Sequence, residues 1–195
     1  MAARSTTAET ILEAAQRSIR RRGRQKLSLS AVALEAGVSR PTVYRWFPTK
    51  ALLLAALTAH EVEQFDRGLQ QLADDHADPA ARFDVGVRYV VTYLDDTIGP
   101  DAISADPAFA LQSLADSLGP HVESVARVLG DALDQIPAVG SGALTREQGA
   151  EMVLRIAYSH YLVPNPDTER LLATLRAFAQ VESATSESRS VRRRT

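Results

Sequence analysis

The side chains of this chain best suited to chemistry lie close together, in SRPTVYRWFPTK at positions 39–50. Two arginines, a lysine, hydroxyl groups and three aromatic rings share this stretch, bracketed by Pro41 and Pro48. Guanidinium, ammonium and hydroxyl groups are donors suited to phosphate oxygens, and arginine can also read the edge of a base. Catalytic or metal chemistry finds less support elsewhere. The four histidines, His60, His76, His121 and His160, are scattered without the paired spacing of a metal site, and there is no glycine-rich phosphate loop. Asp74-Asp75-His76 and Asp95-Asp96 read as acidic surface at helix ends. No enzyme activity, metal or cofactor is therefore expected.

Charge points the same way. Over the whole chain the net charge is −2, which does not suggest a polyanion partner. Residues 1–50, however, hold ten Lys/Arg against three Asp/Glu, a local charge of +7, and the remaining residues carry −9. Screening over about 8 Å at physiological salt means that a partner touching the first fifty residues senses mainly their own field. A basic binding module joined to an acidic body follows. With 45% hydrophobic and 24% charged residues the chain has the composition of a globular protein. It lacks cysteine, so disulfides and thiolate metal sites are excluded and a cytoplasmic setting is expected. The opening MAARSTTAETILEAA has no long apolar core, so no secretory leader is expected. No apolar run nears the ~20 residues of a membrane span, so no membrane partner is expected either.

The elements that must position these residues are helical throughout, because hydrophobic spacing follows the 3.6-residue period and nowhere alternates as in a strand. A first helix is expected over about 7–22, closed by Gly23. Ser28 caps a second that stops at Gly37, and Ser39 caps a very short third with Pro41 in its first turn. Thr49 caps a long fourth. Asp78-Pro79 and Asp106-Pro107 open two more. Gly119-Pro120 is expected to separate the segment carrying Leu114 and Leu118 from one carrying Val122 to Ile136. Residues 137–144, PAVGSGAL, read as a loop, Thr145 and Gln148 form a capping box, VPNP at 163–166 breaks the chain, and a leucine-rich helix closes the body. The expected class is all-α, with about nine helices. The expected domains are 1–50, 51–182 and a disordered basic tail at 183–195.

A glycine-containing turn between two short helices, Ala36-Gly37-Val38-Ser39, is the sequence form of a helix-turn-helix. Its second helix enters the major groove by its N-terminus. That places Arg40 and Thr42 at base edges or phosphates and turns Val43 and Phe47 inward. Tyr44 and Trp46 also suit the core of a three-helix unit.

Residues 11–57 resemble the DNA-binding domain of the TetR family of bacterial transcriptional regulators. ILEAA, Gly23, Ser28, Val32-Ala33, AGVS, Thr42-Val43-Tyr44, Phe47, Thr49-Lys50 and Leu53 carry the resemblance in order and spacing. It implies a homodimer on a palindromic double-stranded DNA operator, most simply a repressor released by a small effector held in the C-terminal domain. Carried over by position, Ser28 and Tyr44 contact phosphates, Ser39 caps the recognition helix, and Arg40, Thr42 and Arg45 lie in or beside the groove. Lys50 holds the backbone from the start of the fourth helix. Trp46 stands where the family often has histidine, and Arg24 where an aromatic is common.

In the body, Phe83, Tyr89, Tyr93, Phe109, Leu114, Leu118, Val125 and Tyr158, with His121 and Arg127 as orienting groups, suit an apolar pocket for a hydrophobic or aromatic effector. The same residue types also build an ordinary core. Ile156, Leu172, Leu175 and Phe178 are expected at the dimer interface. The alternative is an architectural DNA-binding dimer that takes no effector.

Overall fold

A computed structural model describes residues 6–97, 107–163 and 167–180; the expected basic tail and the break at 164–166 lie outside these. Among the described residues there is no strand, and no helix is long and apolar enough to cross a membrane. The described residues hold nine α-helices: α1 Thr7–Arg22, α2 Leu29–Ala36, α3 Arg40–Trp46, α4 Lys50–Asp74, α5 Pro79–Thr97, α6 Pro107–Leu129, α7 Pro137–Gly140, α8 Arg146–Leu162 and α9 Thr168–Gln180. A 3₁₀ segment, Gly130–Gln135, separates α6 from α7.

Local chemistry sets the boundaries. The Thr6 hydroxyl accepts from the Glu9 N–H at 3.2 Å while the Glu9 carboxylate accepts from the Thr6 N–H at 2.6 Å, a reciprocal cap for α1. Arg20, Arg21 and Arg22 fill its last turn, where cations suit the helix dipole. Ser28, Ser39 and Thr49 cap α2, α3 and α4 by accepting from Ala31, Thr42 and Leu52 N–H groups. Gly37 ends α2 in the left-handed region, φ 67°, a conformation that other residues adopt only with strain. The Thr145–Gln148 capping box opens α8 as expected.

Two expectations fail. Helix α6 runs through Gly119-Pro120, because Pro120 sits on an exposed position while His121, Val125 and Leu129 continue the buried stripe beyond it. Packing of that stripe outweighs the one donor that proline lacks. Residues 137–140 form a single helical turn in place of loop, with Pro137 at its start and Val139 buried.

Contacts divide the described residues into two units, one reaching Gln64 and including the α6 residues up to Ser117, the other running from Phe65 to Asp96 and from Leu118 onward. In the first, Ile11, Leu12, Ala15, Val32, Ala33, Val43, Phe47, Leu53 and Leu57 form one apolar core, so the first turns of α4 complete the packing of α1–α3. Glu35 of α2 pairs with Arg17 and Arg21 of α1. Glu61 of α4 is turned to Arg20 and Gln16; burial lifts its carboxyl from 4.5 to about 7, against the opposing pull of Arg20 and a hydrogen bond from Gln16.

In the second unit Phe65, Leu69, Val87, Val90, Leu129, Leu133, Leu154 and Leu172 are the bulk of the core. A Cβ at Gly68 would clash with the Tyr89 hydroxyl, which donates to the Phe65 carbonyl at 3.1 Å, so the bare glycine lets α5 seat its ring on α4. Gly86 admits Leu129 in the same way.

Two predictions follow from this packing. Gly68→Ala should lower stability by about 1 kcal/mol, overpacking against Tyr89 outweighing the gain in helix propensity; a urea melt measures it. For Glu61 the folded state holds the proton more tightly than the unfolded chain, so stability falls as pH rises from 4.5 to about 7 and is flat above. Glu61→Gln should remove that slope and make the protein more stable than the parent at pH near 8, by roughly 1–3 kcal/mol. Thermal melts across the range decide it.

Candidate DNA-binding surface and aromatic cluster

Helix α3 is seven residues long. It is held by Val43, wholly buried, and Phe47, 7% exposed, both in the core shared with α1, α2 and α4. Everything else on it faces outward. Arg40, Pro41, Tyr44, Arg45 and Trp46 are exposed, the two aromatics each at 48%. Trp46 is thus no core residue; like Tyr44 it presents a half-exposed ring. Arg40 and Arg45 form no hydrogen bond or ion pair among the described residues, which leaves both available to an anion.

The other expected contacts are more engaged. Ser39 accepts from the Thr42 N–H at 3.2 Å and its hydroxyl lies 2.8 Å from that of Thr42, so the two act as one capping unit. Ser28 accepts from Ala31 at 3.1 Å and is exposed, which leaves its O–H to donate. Lys50 is half-buried, and its ammonium donates to the carbonyls of Arg24 at 2.9 Å and Gln25 at 3.4 Å. It therefore ties the start of α4 to the turn after α1, a structural role that its place in the sequence did not show. Three arginines of α1 are faced by carboxylates: Arg17 and Arg21 by Glu35, Arg20 by Glu61. Part of the +7 is spent inside the module, and the outward cations of α3 matter correspondingly more.

The expected pocket residues separate into groups, Phe109 and Leu114 in the first unit and the rest in the second. Tyr89, Tyr93 and His121 gather round Phe65, with centroid distances from Phe65 of 5.4, 4.9 and 4.2 Å. Tyr158 joins through a 3.0 Å hydrogen bond with His121 Nδ1. Phe65 is the member that sequence reasoning missed; the helical spacing Leu57, Phe65, Leu69 carried the signal. Burial lowers the His121 imidazole to about 4, so it is neutral. Phe83 lies apart from these rings, in an apolar cavity of about 220 Å³ with Val87, Ile136, Met152, Val153, Ile156 and Leu175. Leu114 and Val125 are buried, Leu118 is half-buried, and the Phe109 side chain lies outside the described residues. Arg127, expected as an orienting group, is exposed and bonds Asp66 and Gln70.

The expected dimer residues differ in burial. Leu172 and Leu175 are 1% and 8% exposed within the single chain, because the apolar stripe of α9 packs into its own unit. Ile156 is half-buried, neighbouring Met152 is 40% exposed, and the Phe178 side chain lies outside the described residues. Among the described residues no three His, Cys, Asp or Glu side chains group as a metal site.

Comparison with known proteins agrees with this geometry. Residues 11–57 match the family model described as bacterial regulatory proteins, tetR family. The HTH-type transcriptional regulator EthR of Mycobacterium tuberculosis is 40% identical over 68 residues, 35% of this chain and 32% of the relative. The chain thus spans about a third of the length of that curated relative. Among solved structures, a TetR transcription regulator from Haloarcula marismortui superposes with a TM-score of 0.67 at 18% identity, over 90% of this chain and 97% of that one. FadR from Bacillus subtilis, solved with stearoyl-CoA, gives 0.59 at 16% identity, over 88% and 95%. The match to the tetR family model is thus confined to residues 11–57, and over most of its length the chain shares the fold of these solved regulators.

Proposed function

We propose that the chain is a transcriptional regulator, a repressor that binds a palindromic operator as a homodimer and leaves it when a small apolar or aromatic effector occupies the helical body. The observation that carries the DNA-binding part is the composition of α3: Val43 and Phe47 are committed to the core, and the outward face offers Arg40, Tyr44, Arg45 and Trp46 without an acid. Such a face suits the major groove, with Arg40 near the helix N-terminus at base edges and Ser28 and Tyr44 on phosphates. Two-fold symmetry supports recognition helices about 34–36 Å apart on successive turns of one face of DNA. The exposed Met152 beside Ile156 makes the outer face of α8 the best surface for the partner copy.

The effector part is supported by the rings around Phe65 and by the apolar cavity at Phe83. FadR, of the same fold, was solved with stearoyl-CoA, whose acyl chain, though not its anionic CoA part, is of the apolar class proposed here.

Trp46 is the sole tryptophan of the chain, so its fluorescence reports on α3 alone. Titration with duplex DNA from the adjoining intergenic region should change its emission, and added salt should reverse the change. No salt-sensitive complex with that DNA, by fluorescence or gel shift, would sink the proposal. Arg40→Ala should cost about 1–3 kcal/mol at selected base pairs. Lys50→Ala should weaken all sequences alike, lower the salt slope by roughly one, and also lower Tm through its two carbonyl bonds.

A further inference from the structure

One polar atom of the aromatic cluster is left over by the fold. His121 is 4% exposed, and its Nδ1 is taken by the Tyr158 hydroxyl at 3.0 Å. Its Nε2 is buried and has no hydrogen-bond partner among the described residues. A dry, unpaired nitrogen is unfavourable, and a hydrocarbon ring of similar shape would avoid the penalty. Aromatic faces surround it. Phe65 stacks on the imidazole at 4.2 Å and 28°, Tyr93 stands edge-on to it at 6.1 Å, and Tyr89 lies 5.5 Å from Tyr93. Tyr89 and Tyr93 are half-buried, whereas Phe65 and His121 are buried. Apolar walls around one convergent polar group are the composition of a ligand pocket.

We propose that His121 Nε2 is the anchor of the effector, and that the effector is an uncharged molecule whose apolar or aromatic body carries one carbonyl or hydroxyl group. This rests on the reading of the helical body as an effector domain. Both groups suit the imidazole, because the Tyr158 hydroxyl can rotate to donate or accept, leaving Nε2 protonated for a carbonyl or bare for a hydroxyl. Charge sets the class. The imidazole is neutral, since burial lowers it to about 4. Asp66, next to Phe65 in the chain, accepts from Ser124 and pairs with Arg127. Burial, then Tyr93, then the Asp66 carboxylate push the Tyr89 phenol upward, so the cluster already sits in a field that disfavours anions. A free carboxylate or a phosphate finds no counter-ion at Nε2 among the described residues.

Three probes of equal carbon count test this on the full-length chain: butyrophenone, butylbenzene and 4-phenylbutanoate, by calorimetry and thermal shift. Butyrophenone should bind about tenfold tighter than butylbenzene, the difference made by one buried hydrogen bond, and 4-phenylbutanoate more weakly than either. His121→Asn, which can reach the Nδ1 position and Tyr158 but not the Nε2 position, should remove the ketone's advantage. His121→Gln, whose amide reaches the Nε2 position, should keep part of it. Should the variants not fold, the ¹⁵N shift of His121 Nε2 in the parent protein decides, moving with the ketone and not with the hydrocarbon. A ketone no better than butylbenzene, a tighter carboxylate, or an unmoved Nε2 overturns the anchor and leaves the effector reading standing. If none of the three binds, the anchor and the apolar-effector reading fall together.

Discussion

A helix of seven residues does not persist in water, because too few hydrogen bonds follow its nucleation to offset the order it imposes. Helix α3 exists because Val43 and Phe47 are buried in a core supplied by α1, α2 and α4, and because Ser39 satisfies its first free N–H groups. The function depends on this constraint. Burying two side chains fixes the rotation of the helix about its axis, and rotation alone decides that Arg40, Tyr44, Arg45 and Trp46 face out together. The recognition surface is thus a by-product of packing on the opposite side.

The same module distributes its charge unevenly. On α1 the arginines that pair with Glu35 and Glu61 brace the helix against α2 and α4, and the lysine that opens α4 clasps the turn after α1. These cations still contribute to the field felt by a polyanion, but their positions are set by the protein. Arg40 and Arg45 have no such duty. Under the proposed function, long-range attraction and sequence reading fall to different residues, a division that would allow one to vary without the other.

Much of this was legible in the residues. Periodicity, Gly37 and the serine and threonine caps located α1 to α4, because each is a local signal with a local cause. The misses share a different origin. Pro120 was read as a break because its own preference is local, whereas the stripe through His121, Val125 and Leu129 that overrides it is a matter of tertiary packing. Leu172 and Leu175 have the spacing of an apolar face, but spacing cannot say whether the face meets its own chain or a second copy. The carbonyls that hold Lys50 come from residues more than twenty positions away, a contact no motif encodes. Phe65 was passed over because one phenylalanine in a long helix looks like any other core residue until the rings of α5 and α6 close on it.

The outward rings of α3 carry a consequence for the protein away from DNA. Tyr44 and Trp46 are half-exposed apolar surfaces, and such surfaces on free molecules tend to pair with one another. Arg40 and Arg45 are exposed on the same seven-residue helix, so two copies approaching by this helix bring four like charges together. The guanidiniums, which the proposed function gives to DNA, also act as gatekeepers of colloidal stability. Neutralising them removes repulsion and attraction at once, and the recognition helix stays soluble only as long as it stays hungry for anions.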